Sequence, residues 1–290
     1  MQQTINIPDF DLTATLECGQ AFRWRRAENC WFEGVIGGRV ARLRQHPGSI
    51  EWELHPGGDA KLIEHYLAAD VSLPQIIVTF PGDELLHEAV KKHHGLRVLR
   101  QEPWECLASF IASSSKQIVQ IRQIVALLAE RFGNPIETSV GTFRSFPDVS
   151  AIARATHQQL WDCKLGFRAK NLLAAARMID GGKINLDSLR SMGHEQALEE
   201  LMKLPGVGEK IAGCTLLFSC GFDQAFPIDV WIERALKRIY FPNRKRVTHR
   251  ELRDFARSHF GPYAGWAQQY LFFQERTRGR QPLLDARTKR

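Results

Sequence analysis

The sequence predicts an α+β fold: a small N-terminal antiparallel β-sheet domain with flanking helices (residues 1–100), then a large all-helical domain (residues 101–290). Three observations predict it. Apolar residues alternate with a period of two up to about residue 55, they recur at helical spacing from about residue 58 to residue 274, and 290 residues with 44% apolar content are enough for a sizeable core. Gln20 to Arg26 reads as a short aromatic strand. Trp31–Ile36 and Arg39–Gln45 flank Gly37-Gly38, two residues that supply the positive φ angles of a tight hairpin. Ser49–His55 alternates, with Ile50, Trp52 and Leu54 on one face and Glu51 and Glu53 on the other, so the sheet is expected to have one wet face.

Beyond Gly58 the spacing becomes helical. Asp59 suits the N-cap of a helix carrying Leu62, Ile63, Tyr66 and Leu67. Asp83 to His94 forms the next helix and stops at Gly95. Pro103 suits a first turn, Leu107, Phe110 and Ile111 form a stripe, and Ser113-Ser114-Ser115 breaks it before Ile118, Ile121, Val125 and Leu128 resume. Helical patterns joined by short loops continue to Gln274, without internal repeat or low-complexity tract.

Charge points to the partner. Lys+Arg number 39 against 32 Asp+Glu, a net +7, but Arg234 to Arg290 holds 15 basic and 4 acidic residues. A basic C-terminal fifth on a slightly acidic body suits a polyanion, the plainer reading being a solvated tail. No run of about 18 apolar residues is present, and the opening residues lack the basic region and apolar core of a secretory signal. Cys18, Cys30, Cys106, Cys163, Cys214 and Cys220 contain no CxxC pair and no zinc-type spacing, so reduced thiols and no metal site are expected. Four-thiolate iron–sulfur ligation is excluded, since no cysteine follows Cys220.

Glu195 to Cys220 carries the chemistry. An amphipathic helix with Ala197, Leu198, Leu201 and Met202 runs into Leu204-Pro205-Gly206-Val207-Gly208, and a second helix begins near Glu209. Such a turn presents backbone N–H groups at a helix mouth, suited to a phosphate oxygen, and has the pattern of a helix-hairpin-helix; an ordinary helical hairpin is the alternative. Lys210 is either a solvated charge or, beside a nucleic-acid grip, a reactive amine. Asp229 in Pro227-Ile228-Asp229 suits an N-cap, and its second oxygen is free to face a cleft, kept ionised by the helix donors. An amine that attacks an anomeric carbon and a carboxylate that stabilises the cationic sugar are what glycosidic cleavage needs.

These segments resemble the helix-hairpin-helix DNA glycosylase superfamily. With Cys18-Gly-Gln-Ala-Phe-Arg-Trp24, Glu105-Cys-Leu-Ala-Ser-Phe-Ile-Ala-Ser-Ser114 and Gly261-Pro-Tyr-Ala-Gly-Trp-Ala-Gln268 in order, the chain is similar to the 8-oxoguanine DNA glycosylase/AP lyase family from about residue 10 to 275. The resemblance implies base flipping from duplex DNA containing an oxidised purine, excision by a Lys210 Schiff base with β-elimination, and support of the sugar cation by Asp229. It implies no cofactor and no metal, and an intracellular monomer working on DNA, away from membranes. The Gly19 carbonyl would accept from the N7–H that distinguishes the lesion from guanine. Gln268 would read the Watson–Crick edge, Cys214 and Phe272 would flank the base, and Phe218 would line the pocket. Gly206, Val207 and Gly208 would grip the backbone, Phe167 would wedge the duplex, and Arg168 would contact the orphaned base.

The chain also departs from the family pattern. Ser115-Lys116-Gln117 stands where animal members have an Asn run that reads the opposite cytosine, leaving that selectivity open. Trp231 replaces a phosphate-touching His, and Phe218 replaces Met. The alternatives are a monofunctional alkyl-purine glycosylase, which Lys210 argues against, and a non-enzymatic helix-hairpin-helix DNA-binding protein.

Overall fold

The computed structural model describes residues 3–278. Strands β1 (Gln3–Asn6), β2 (Arg25–Arg26), β3 (Phe32–Ile36), β4 (Arg39–His46) and β5 (Ser49–His55) form one antiparallel sheet in the order β1-β5-β4-β3-β2. Ile36 pairs with Arg39, which leaves Gly37 and Gly38 as a two-residue turn with φ of +54° and +74°. Between β1 and β2 lies helix α1 (Leu12–Glu17), capped by Asp11, whose side chain accepts from the Ala14 N–H at 2.8 Å. Neither β1 nor α1 was expected from the pattern.

Two expectations about the sheet are corrected. Of the Gln20–Arg26 segment only Arg25 and Arg26 pair as strand, because the Gln20 side chain is drawn inward to buried backbone groups. The face carrying Glu51 and Glu53 is only partly wet: Glu53 keeps 40% of its side chain exposed, whereas Glu51 is covered. Glu51 and Glu33 are 5% and 8% exposed. Arg44 and His46 meet Glu51, Arg25 and Arg42 meet Glu33, and the Arg42 and Arg44 guanidiniums lie over Trp31. Ion pairs and long side chains roof that part of the face.

The helices α2 (Ala60–Tyr66), α3 (Leu73–Ile77) and α4 (Glu84–Lys92) close the sheet-bearing part. Helices α5 (Pro103–Ser113) and α6 (Ile118–Phe132) follow on either side of the serine run, then a hairpin of β6 (Pro135–Thr138) and β7 (Gly141–Arg144). Helices α7 (Val149–Ala153), α8 (His157–Leu160), α9 (Arg168–Asp180), α10 (His194–Met202) and α11 (Glu209–Thr215) come next. A wider helical turn carries α11 on to Cys220. The chain then runs through α12 (Val230–Tyr240), α13 (His249–His259) and α14 (Ala264–Arg278). Among the described residues no helix is long and apolar enough to cross a membrane.

Among the described residues, three apolar cores hold the fold together. One lies under the sheet around Leu43, Ile50 and Ile63; a second joins α5, α6, α9 and α11 through Phe110, Leu128, Leu172 and Leu217. The third packs α1 and α4 against α12, α13 and α14 through Ala14, Leu86, Ile232, Leu252 and Tyr270. It crosses the boundary expected near residue 100 and brings the end of α1 beside α14.

The loop after α1 is held by buried polar groups. Gln20 has no exposure; its Nε2 donates to Thr15 O at 2.9 Å and Arg97 O at 2.8 Å, while its Oε1 accepts from the Leu99 N–H at 2.9 Å. Arg97, 1% exposed, donates to the carbonyls of Ala68, Val71 and Pro8. Replacing Gln20 with Leu leaves Arg97 O and the Leu99 N–H unpaired and Thr15 O with only the Cys18 thiol, and is expected to cost about 2–4 kcal/mol. A denaturant midpoint within error of wild type would contradict this.

Candidate active site

The turn between α10 and α11 takes its shape from its glycines and apolar anchors. Leu204 and Val207 are buried, and the Val207 N–H donates to Leu204 O at 3.1 Å. Gly206 sits at φ +79°, and a Cβ there would come within 2.5 Å of the Asn171 amide, so the position requires glycine. Gly208 caps α11 in extended conformation with open space where a side chain would be, leaving the helix mouth accessible. Val207 therefore anchors the turn in the core while both glycines are exposed.

Lys210, the second residue of α11, points its Nζ toward Ser113 Oγ at 3.3 Å, 4.8 Å from the centre of the Phe110 ring. Ser113 Oγ donates its own proton to Phe110 O at 2.7 Å, so it meets the lysine as an acceptor. One turn on, Cys214 is 4% exposed and burial pushes its thiol up to about 11, which makes it a neutral wall. Asp229 caps α12: Oδ1 accepts from the N–H groups of Trp231 at 3.0 Å and Ile232 at 2.9 Å. Burial raises its pKa above the ordinary aspartate value, against the pull of the Ile232 donor and the Lys210 charge. The helix donors act in the expected direction, toward the anion, without outweighing the burial.

Both groups line a cleft of about 870 Å³ together with Gly19, Cys214, Phe218, Gln268 and Phe272, and with Ser115, Lys116 and Gln117 at the turn between α5 and α6. Phe110 and Phe218 stack with ring centres 5.6 Å apart on its apolar side. Gln268 is 4% exposed; its Nε2 donates to Pro227 O at 3.0 Å, and its Oε1 has no partner among the described residues. Gly19 faces the cleft at φ +102°, with Phe272 3.4 Å from where a Cβ would stand. Trp231 and the start of α13 at His249 also line the cleft.

The remaining expected residues lie elsewhere. Gly206, Val207 and Phe167 are outside this cleft, and Gly208 lines a neighbouring one that shares Lys210. Phe167 is 63% exposed, as a wedge would be, with the Arg168 guanidinium 4.3 Å over its ring. Arg168 itself is corrected. It is 4% exposed and donates to Leu165 O at 3.0 Å and, through both Nε and Nη2, to Ser114 O, so it braces the α5–α6 turn instead of facing a partner base. The basic C-terminal segment is also less free than its charge implied. Arg238, Arg244, Arg253 and Arg257 pair with Glu275, Glu251, Glu209 and Glu195. The tail from residue 279 onward lies outside the described residues.

Sequence reasoning missed Phe110, Ser113 and His249. The signal for Ser113 was present, a hydroxyl at the end of an apolar stripe, but only the fold brings it to Lys210. Among the described residues no three His, Cys, Asp or Glu side chains converge as a metal-ligand set.

The chain is similar to known proteins along most of its length. Residues 3–107 match the family described as 8-oxoguanine DNA glycosylase, N-terminal domain, and residues 108–258 match the HhH-GPD superfamily base excision DNA repair protein. The N-glycosylase/DNA lyase OGG1 of Arabidopsis thaliana is 30% identical over 92% of this chain and 78% of its own. The N-glycosylase/DNA lyase of Saccharomyces cerevisiae is 32% identical over 93% and 85%. The solved structure of the Clostridium acetobutylicum 8-oxoguanine glycosylase/lyase with double-stranded DNA containing cytosine opposite 8-oxoG superposes with a TM-score of 0.88, at 30% identity over 96% of this chain and 98% of that one.

The raised pKa of Asp229 has a consequence for stability. Burial favours its protonated form, so the stability linked to that proton is complete below about pH 4 and is lost as pH rises through the higher folded-state value. Asp229→Asn keeps an N-cap oxygen and removes the buried charge. Its melting temperature at pH 7 is expected to equal or exceed wild type, with the difference shrinking toward pH 4. A drop of several degrees at pH 7 would count against the assignment.

Proposed function

The chain belongs to the HhH-GPD superfamily of base excision DNA repair proteins and carries the 8-oxoguanine DNA glycosylase N-terminal domain, and from that membership we infer the chemistry of the cleft. The protein is a DNA N-glycosylase with AP lyase activity that excises 8-oxoguanine. The reading rests on one observation: an amine and a carboxylate, Lys210 and Asp229, share a partly apolar cleft with a Gln268 oxygen that has no partner among the described residues.

The duplex docks on the turn at Gly206, Val207 and Gly208, where Val207 is the buried anchor and the exposed backbone of the two glycines meets a phosphate without reading sequence. The oxidised purine leaves the stack and enters between the sheet-bearing part (residues 1–100) and the helical part (residues 101–290). Cys214 and Phe272 flank the ring, and Phe218 closes the apolar side. Gln268 Oε1 accepts from the Watson–Crick edge, and the Gly19 carbonyl accepts from N7–H. Guanine, with an acceptor at N7, would face that carbonyl lone pair to lone pair, a mismatch of about 1–3 kcal/mol.

Lys210 Nζ, as the free amine, then bonds to the sugar C1′ while the C1′–N9 bond breaks and the base takes up a proton. The ionised Asp229 lies opposite the positive charge that develops on the sugar. The C1′–O4′ bond then opens, O4′ taking up the proton that the adduct nitrogen gives up, which leaves a Lys210 iminium at C1′; the iminium acidifies the 2′ proton, whose loss expels the 3′ phosphate by β-elimination and nicks the strand. Phe167 fills the gap left by the flipped base, near Ser115, Lys116 and Gln117. A monomer suffices, since one chain supplies every group named.

Two measurements test this. Borohydride added to the wild-type protein with an 8-oxoguanine duplex is expected to trap a covalent adduct, and Lys210→Gln to trap none. An adduct of equal yield with Lys210→Gln would remove Lys210 from its role, and base release without any adduct would favour a monofunctional glycosylase. Phe167→Ala is expected to slow excision about tenfold or more, because an unfilled gap leaves flipping opposed by restacking. Its stability should stay within about 0.5 kcal/mol of wild type, since the side chain is exposed. An unchanged excision rate would assign the wedge elsewhere.

A further inference from the structure

Arg276 closes the wall behind Gly19. It lies on α14 one turn past Phe272 and is 7% exposed. Its Nη1 donates to Cys18 O at 2.8 Å and its Nη2 to Glu17 O at 2.6 Å. These carbonyls belong to the last turn of α1 and its cap, which have no partner inside the helix, and a cation at that end is favoured by the helix dipole. The guanidinium also lies 5.7 and 5.1 Å over the rings of Phe272 and Phe273.

Gly19 comes next in the chain. At φ +102° it has a backbone conformation that other residues adopt only with strain, and it has no side chain to hold it there. Its two neighbouring peptides are held instead. On one side Cys18 O is fixed by Arg276. On the other, the Gln20 carbonyl accepts from Gln101 Nε2 at 2.9 Å, and the Gln20 amide is saturated by Thr15, Arg97 and Leu99. The fit is tight, because a Cβ on Gly19 would stand 2.7 Å from Arg276 Nη1.

We propose that Arg276 is a positioning residue for damaged-base reading: it sets the direction of the Gly19 carbonyl from α14, the helix that also carries Gln268 and Phe272. The two edges by which the lesion is recognised, N7–H and the Watson–Crick edge, are then read by groups tied to one rigid element. This rests on reading the cleft as the pocket for a flipped 8-oxoguanine. If Arg276 served only to staple α1 to α14, its loss would weaken every activity of the protein alike.

Two substrates separate these cases. Excision of 8-oxoguanine needs the Gly19 carbonyl; nicking at a preformed abasic site needs Lys210 and DNA engagement but no base. Arg276→Gln, which lacks the charge and the reach, is expected to slow single-turnover excision about tenfold or more while abasic nicking stays within about twofold. Arg276→Lys, with one donor able to reach one carbonyl, is expected to fall between Gln and wild type. Parallel losses on both substrates, or unchanged excision in Arg276→Gln, would overturn the proposal. A wild-type protein that nicks abasic sites but leaves 8-oxoguanine in place would overturn the substrate reading itself, and that result needs no substitution to be seen.

Discussion

The amide of Gln20 is the point on which the base-facing wall depends. Fully buried, it uses both donors and its oxygen on backbone groups of Thr15, Arg97 and Leu99. Gln101 extends the connection: its side chain donates to Gln20 O, and its N–H donates to Phe218 O at 2.7 Å. A line of hydrogen bonds thus runs from the apolar side of the cleft to the residue after Gly19. In a low-dielectric interior each of these groups would be costly unpaired, which locks the set together. A flexible glycine can serve as a recognition element only because its neighbours are not flexible.

The reactive side of the cleft is governed by the same low dielectric acting on charge. Asp229 caps α12 with one oxygen, and burial favours its neutral form, while Lys210 and two helix N–H groups pull it back toward the anion. The balance leaves a carboxylate that gains from any positive charge brought near it, as a developing sugar cation would bring. Cys214, one turn from Lys210, is held as a neutral thiol by the same burial and acts as an apolar surface. Ser113 and the Phe110 ring give Lys210 Nζ an acceptor and a π face.

Much of the fold was legible because it is local. The Ser49–His55 strand, the two-glycine turn, the break between α5 and α6, and the Asp59 and Asp229 caps are all visible in spacing and capping chemistry. What failed was the pairing of buried polar groups, which spacing does not show. The Gln20 segment looked like strand until its side chain found partners up to 79 residues away. Glu51 looked solvent-facing, but Arg44, His46 and the cation-covered Trp31 roof it. Arg168 looked available for a base, but Ser114 and Leu165 offer carbonyls that claim it. Periodicity reports which way a side chain points and is silent about what meets it there.

By itself, then, the sequence determined the α+β class, the hairpin turn with Lys210 just beyond it, the capped helix that begins after Asp229, and the family resemblance those motifs carry. Only the tertiary structure decided that Lys210, Asp229, Gly19 and Gln268 line one cleft, that Arg276 backs Gly19, and that much of the C-terminal charge is already paired. The physical reason is range. Turn conformation, capping and amphipathic spacing act over a few residues and leave marks in the sequence. Burial, desolvation and the pairing of distant polar groups exist only once separate segments have been packed together.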